Sequence, residues 1–276
     1  MRQLEITHSN IPIIGEEISL KLYCDCSLSG KRTLYGLSDL TQLNLSHNSI
    51  SHIVDANFDG LSSLSSLALS NNNIKSITSA AFHHLESLEN LFLADNSLRE
   101  LAPRIFYKLN LLKRLDLSHN NLLLVDEEVV KDIRNIQHFT CNNCGLYNFR
   151  VGFSLRFLRV LELSDNKVET LTDIEPHIMR GLARLELSGN RLTKVTKLEN
   201  DQMESLDLSR NNISQLADCA FCSCLKLTKL DLSQNFLTNI DPAFDDNQFE
   251  EMKILDLSRN MIQVEVKTVS PQHFLQ

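Results

Sequence analysis

The chain predicts an α/β solenoid, a stack of similar coils with a concave parallel β-sheet on one side and loops, turns and short helices on the convex side. Three observations carry that prediction. First, LTQLNLSHNSISHIVDANFDGLSS (40–63) is followed without a gap by LSSLALSNNNIKSITSAAFHHLES (64–87), both 24 residues long, and LENLFLADNSLRELAPRIFYKLNL continues in the same register. Self-similarity at a fixed period of this length is the signature of a repeat architecture. Second, a core L-x-x-L-x-L-x-x-N recurs from Leu112, Ile136, Leu158, Leu182, Met203, Leu227 and Met252, which makes ten repeats in all. Third, apolar residues at positions 4 and 6 of each repeat alternate with polar ones at 5 and 7, the period of a short strand with one buried face.

From the N-terminus, residues 1–39 read as degenerate repeats or a cap. Leu4, Ile6, Ile11 and Ile14 keep the spacing, with Ser9 where Asn is expected, whereas Ile18 to Leu37 keep it poorly. Atypical end units are expected because something polar must cover the end of a stacked core. Residues 40–266 hold the ten repeats. One coil cannot bury its own leucines, but stacking sets Leu43, Leu67, Leu91 and Leu115 in one column and Leu45, Leu69, Leu93 and Leu117 in the next. Position 9 carries Asn48, Asn72, Asn96, Asn120, Asn166, Asn190, Asn211, Asn235 and Asn260. An inward amide there both donates to and accepts from backbone groups at the turn, so these residues read as a structural ladder. Phe58, Phe82, Phe106 and Phe221 share one late position and read as packing on the convex side. The units from Ile136 and Leu182 are shorter than 24 residues, and EPHIM near Pro176 departs from the Phe pattern, so uneven curvature is expected there. Residues 267–276 read as an unfinished end with no recognisable cap, which suggests a partial chain. The whole is one solenoid domain.

Seven cysteines are an odd number, so they do not all pair within the chain. In CNNCGL, Cys141 falls on position 6 and Cys144 on the Asn position, both inward, where free cysteine packs as a small hydrophobe. Packing is therefore favoured over a disulfide, and with no second ligand pair nearby both are favoured over metal or redox chemistry. Cys224 takes an inward leucine position. Cys219 and Cys222 lie on the convex side and could pair with each other, pair with a partner chain or stay free, and Cys24 and Cys26 lie in the degenerate N-terminal stretch.

The L-x-x-L-x-L-x-x-N core with its late Phe resembles the 24-residue typical class of leucine-rich repeats, over Leu40 to about Val266. The resemblance implies the horseshoe form of the solenoid. The repeat style is also similar to the ectodomains of Toll-type receptors and to the secreted leucine-rich-repeat immune proteins of insects. That likeness implies recognition of a microbial or self protein, often with dimerisation, in an extracellular or secreted, glycoprotein setting.

Composition narrows the function further. A net charge of -8 without clustered Lys or Arg argues against nucleic acid or an anionic membrane as a partner. The longest apolar runs, such as Leu122 to Val125, are far short of the roughly 20 residues that span a bilayer. MRQLEITHSN has neither the apolar stretch nor the cleavage site of a signal peptide. The chain is therefore either intracellular or a fragment of something longer; the resemblance implies an extracellular or secreted fragment, with a cytoplasmic scaffold or adaptor as the alternative and the targeting domain of a larger enzyme as a third reading. No Gly-rich phosphate loop, no H-E-x-x-H and no nucleophile with its base is legible, so no catalysis, cofactor or metal is expected. Binding is expected on the concave face, at positions 2, 3, 5, 7 and 8. Position 5 turns acidic toward the C-terminus with Asp116, Glu162, Glu186, Asp207 and Asp231. Position 3 supplies Arg114, His138, Arg184 and Lys229, placed to pair with those carboxylates across strands. Phe92 is the one aromatic at position 5 and a candidate contact anchor. The expected partner is a protein ligand or co-receptor, in a possible homodimer or heterodimer. Asn44 and Asn212 head the two sequons, candidate glycosylation sites if the chain is secreted.

Overall fold

The computed structural model of the protein describes residues 3–5, 7, 34, 36–151, 155–174, 176–240, 243–244 and 252–263. In chain order the strands are β1 (Gln3–Glu5), β2 (Gln42–Asn44), β3 (His52–Ile53), β4 (Ser66–Ala68), β5 (Ser76–Ile77), β6 (Asn90–Phe92), β7 (Arg114–Asp116) and β8 (His138–Thr140). They continue as β9 (Val160–Glu162), β10 (Arg184–Glu186), β11 (Lys194–Val195), β12 (Ser205–Asp207), β13 (Gln215–Leu216), β14 (Lys229–Asp231) and β15 (Ile254–Asp256). Eleven of them, each covering positions 3 to 5 of its coil, form one parallel sheet in the order β1-β2-β4-β6-β7-β8-β9-β10-β12-β14-β15. The pairs β3·β5 and β11·β13 form two small parallel ladders at positions 13 and 14. Among the described residues the helical elements with defined bounds are α1 (Glu127–Val130), a 3₁₀ turn at Leu171–Asp173, and α2 (Pro176–Gly181). The side chain of Asp126 caps α1 by accepting from the Val129 amide at 3.1 Å. Pro176 opens α2, where its fixed φ suits the first turn. The expected solenoid, with its concave parallel sheet, is therefore the observed one, and the departure at EPHIM is the place where it gains a helix.

The register aligns the inward column without a slip. Leu43, Leu67, Leu91, Leu115, Phe139, Leu161, Leu185, Leu206 and Leu230 are successive partners, and each is fully buried or nearly so. Burying each such side chain is worth about 2 kcal/mol, and because each leucine covers its neighbours above and below, the gain belongs to the stack. Phe58, Phe82, Phe106 and Phe221 are buried opposite the sheet, and the first two rings stack with centroids 6.0 Å apart.

The asparagine ladder repeats one geometry on either side of Cys144. Asn120 Nδ2 donates to Leu93 O of the preceding coil at 3.0 Å and to Leu117 O of its own at 2.9 Å, while its Oδ1 accepts from Leu98 N at 2.9 Å. Asn72, Asn96, Asn190, Asn211, Asn235 and Asn260 repeat the pattern. One step earlier, position 8 is left-handed in all ten coils from His47 to Arg259, with φ between 52° and 68°. Asn, Asp, His and Gly tolerate that conformation; Arg210, Gln234 and Arg259 accept a cost of roughly 1 kcal/mol each to make the same turn.

Two expectations need correction. Most position-7 serines are not on the exposed face: Ser46, Ser118, Ser188, Ser209 and Ser233 are buried and Ser70 and Ser164 partly so, whereas Ser258 is exposed. The backbone is already turning there, so the hydroxyls meet neighbouring coils, as Ser188 Oγ meets Ser209 Oγ at 2.6 Å and Ser118 Oγ accepts from Asn142 N at 3.1 Å. Cys141 and Cys144 do point inward into the core, but as a disulfide rather than as packed thiols. The turn brings positions 6 and 9 to a Cα separation of 5.7 Å, within bridging range. Cys144 Sγ lies 3.3 Å from Leu117 O, in the place of the ladder amide, but a bridged sulfur carries no hydrogen to donate. Cys219 and Cys222 also pair with each other, and Cys224 is a buried thiol whose pKa burial raises to about 11. Cys24, Cys26, Ile6, Ser9, Ile11, Ile14 and residues 267–276 lie outside the described residues.

Candidate functional site

Positions 3 and 5 of every coil project from the concave sheet, which at about 4.8 Å per strand runs roughly 48 Å from β1 to β15. Its two halves differ in chemistry. From β2 to β6 the outward residues are Gln42, Asn44, Ser66, Ala68, Asn90 and Phe92, none of them charged. From β9 onward they are Val160, Glu162, Arg184, Glu186, Ser205, Asp207, Lys229, Asp231, Ile254 and Asp256, seven of these ten charged. Arg114, Asp116 and His138 stand between, on β7 and β8.

All ten candidate contact residues therefore lie on one surface, but their surroundings differ from those expected. Phe92 is half-buried rather than fully presented, flanked by Ala68 and Asp116 as register partners. Arg184 makes the expected cross-strand ion pair, with Glu162 Oε1 on β9 at 3.9 Å, and a shorter one with Glu186 Oε1 on its own strand at 3.2 Å. Arg114 approaches His138 Nδ1 instead, at 3.5 Å. Burial, with the Arg114 charge second, holds the imidazole below its ordinary pKa. Burial first and the Glu162 charge second raise Glu186 above the usual carboxylate range, with Arg184 opposing.

The aspartates of the stripe have a second duty. Asp116, Asp207, Asp231 and Asp256 each accept from the backbone amide two residues on, at 2.9 to 3.0 Å, and Asn44 does the same for Ser46. A short side chain at position 5 thus locks the turn that starts the ladder. Glu162 and Glu186 make no such bond among those described and are free to serve Arg184. Sequence reasoning missed this duty, although the D-x-S triplets 116–118, 207–209, 231–233 and 256–258 signal it. Asn44 is also held at its amide, donating to Glu5 Oε1 at 3.3 Å, whereas the side chain of Asn212 is exposed at the sheet's rim.

Among the described residues no group of three or more His, Cys, Asp or Glu is placed to hold a metal ion, and no helix is long and apolar enough to cross a membrane.

The chain matches the leucine rich repeat family model over residues 30–74, 62–122, 86–146 and 201–262, together more than half its length. It is 34% identical over 110 residues to the human leucine-rich repeats and immunoglobulin-like domains protein 3, a match covering 39% of this chain and 10% of that protein. The chain thus spans about a tenth of this relative. Among solved structures it is similar to a leucine-rich-repeat protein of Leptospira interrogans, at TM-score 0.76, 22% identity, 96% of this chain and 68% of the other. It is similar also to Drosophila Toll, solved as the Toll–Spatzle complex, at TM-score 0.66, 19% identity, 94% of this chain and 38% of the other. A third is TLR13, solved with a single-stranded RNA, at TM-score 0.59 and 23% identity over 85% of this chain and 30% of the other. Those likenesses agree on the fold, and the repeat matches settle the assignment: this chain belongs to the leucine-rich-repeat family.

Proposed function

We propose that the chain is a non-catalytic recognition module that binds a basic or mixed-charge protein through the C-terminal half of its concave face. The observation that carries this reading is the change of chemistry along one rigid surface. Coils with the same inward column present uncharged residues from Gln42 to Phe92 and an acidic stripe punctuated by Arg184 and Lys229 from Glu162 to Asp256. A stripe on a preformed sheet orders few side chains on binding and steers a complementary partner. Residues 40–266 act in this reading as one binding unit.

An extracellular, immune-related setting is part of the proposal. Two disulfides suit an oxidising compartment, the exposed Asn212 can carry a glycan there, and the Toll–Spatzle complex is a protein-recognising member of this fold. Two disulfides leave no more than three free thiols among the seven cysteines. A thiol count on the denatured, unreduced protein should find three or fewer, and seven would contradict the setting.

The test of the binding reading uses a benzophenone photocrosslinker at Lys229, at Ser66 or at Lys108, which lies outside the sheet, in chain incubated with extract of the source tissue. Crosslinking to a protein should be strongest from residue 229, and Asp207→Lys with Asp231→Lys should weaken that partner at least tenfold. Equal yields from all three positions, or indifference to the charge reversal, would contradict the reading.

A further inference from the structure

We infer a second docking surface, off the concave sheet, at the rim of the coils that begin at residues 112, 136, 158 and 182, shaped for an acidic segment of a protein partner. It goes beyond the concave-face reading and rests on three separate observations.

The first is a missing side chain. Gly145 occupies position 10, where Asn121, Lys167 and Arg191 stand in the neighbouring coils, and its φ of +85° is one that side chains rarely adopt. With Cys144 in place of the bulkier ladder asparagine, a polar groove of about 460 Å³ opens there, lined by His119, Asn121, Asn143, Gly145, Lys167 and Arg191 among others.

The second is an apolar wall. Leu123, Leu124 and Tyr147 are 45%, 44% and 51% exposed. Leu123 and Tyr147 share position 12 on adjacent coils, where the other coils from 40 to 226 carry Ser51, Lys75, Arg99, Glu169, Thr193 and Ser214. Single exposed apolar residues are ordinary, but neighbours at a site that is otherwise polar are not. The wall joins the groove directly, because Leu123 Cδ2 lies 3.2 Å from where a Cβ on Gly145 would be.

The third is charge. Asp165, the acid in the groove, is neutralised by Arg210 at 3.0 Å. Lys167 and Arg191 are exposed and enter no ion pair among the described residues, which leaves two open cations side by side in a chain of net charge -8.

The occupant follows from the arrangement. Four coils span three strand spacings, roughly 14 Å, which an extended peptide covers in about four residues. A partner segment with an aliphatic or aromatic residue on Leu123 and Tyr147, and carboxylates three to four residues on, meets both features. A nucleic-acid strand needs a longer cationic track than two residues and gains little from exposed leucines, so the protein segment is the reading the geometry favours.

The experiment is fluorescence anisotropy with a labelled dodecapeptide that carries Leu-Phe followed three residues later by Asp-Glu-Asp. Comparison probes are the same peptide with lysines for the acids and a labelled oligouridine of twelve nucleotides. The acidic peptide should bind saturably and the lysine peptide should not. Lys167→Glu with Arg191→Glu should weaken binding at least tenfold, and Leu123→Asn with Tyr147→Ser at least threefold, each with an unchanged thermal melt because all four side chains are exposed. Asp207→Lys on the concave stripe should leave it unaltered, which keeps this result separate from the concave-face test. Absence of saturable binding, binding that ignores both double substitutions, or oligouridine that competes for the groove would each overturn the inference.

Discussion

From β2 to β6 and from β9 to β15 the molecule repeats one interior under two different surfaces. Leu67 and Leu206 sit in the same column with the same burial, and Asn72 and Asn211 hold the same backbone groups at nearly the same distances. Outward, Ala68 and Asn90 on one half face the same space that Asp207 and Lys229 face on the other. Stacking constrains each inward atom through the coils above and below, whereas an outward side chain answers to solvent, its strand neighbours and, for the position-5 aspartates and Asn44, one backbone amide of its own turn. Charge can therefore vary along the face while the inward column stays the same, and in the proposed reading the difference between the halves reflects what the face meets.

Substitutions can break that comparison. Leu67→Asp and Leu206→Asp should each abolish folding, since a buried unpaired charge and a lost leucine together exceed about 4 kcal/mol; a urea melt that finds one half tolerant would end the equivalence of the interiors. Asn72→Ala and Asn211→Ala each leave one backbone amide, Ile50 N or Leu192 N, without its acceptor and take one of two donors from each of two carbonyls, and both should cost about 2 kcal/mol in the same melt. On the outside the halves should part: Asp207→Lys with Asp231→Lys weakens the crosslinked partner at least tenfold, about 1.4 kcal/mol, while Ser66→Lys with Asn90→Lys leaves it unchanged in titration. Asp116→Ala removes one turn-locking bond and should lower stability by about 1 kcal/mol without unfolding the chain.

The smallest effect depends on pH. Glu186 has a folded pKa above its unfolded one, so the stability it contributes is complete below the unfolded pKa and is lost as pH rises through the folded value. Glu186→Gln should therefore be as stable as the parent or more so at neutral pH, by no more than about 0.5 kcal/mol, and lose any advantage below about pH 4. Melts at both pH values check the sign.

Most of the interior was legible because it obeys a period. Leu43 and its successors repeat at fixed positions, and no other fold accommodates ten such repeats in phase. What escaped notice was set by backbone geometry rather than by apolar spacing. Ser118 is polar, and its place between strand and turn buries it all the same. The Cys141–Cys144 bridge depends on a Cα separation that counting positions does not supply. On the face, the residues of the acidic stripe were legible from position 5, but the division of labour was not. Asp207 and Asp231 serve the turn, Glu162 and Glu186 serve Arg184, and Phe92 is half covered by its neighbours. The groove beside Gly145 was invisible for a different reason, because it is made by what one coil lacks at two successive positions.

The central claim is that coils stack in parallel with one column of outward side chains along the sheet. Nitroxide labels attached through a non-thiol handle at residue 116, paired in turn with residues 207 and 256, test it by pulsed dipolar spectroscopy. Those positions lie four and six strands apart along the sheet, so the backbone separations should be roughly 19 and 29 Å, shortened somewhat by curvature and broadened by the label arms. A second distance longer than the first by about two strand spacings is the predicted result. Two equal distances, or a shorter one to residue 256, would contradict the stacked arrangement on which every assignment of inside and outside depends.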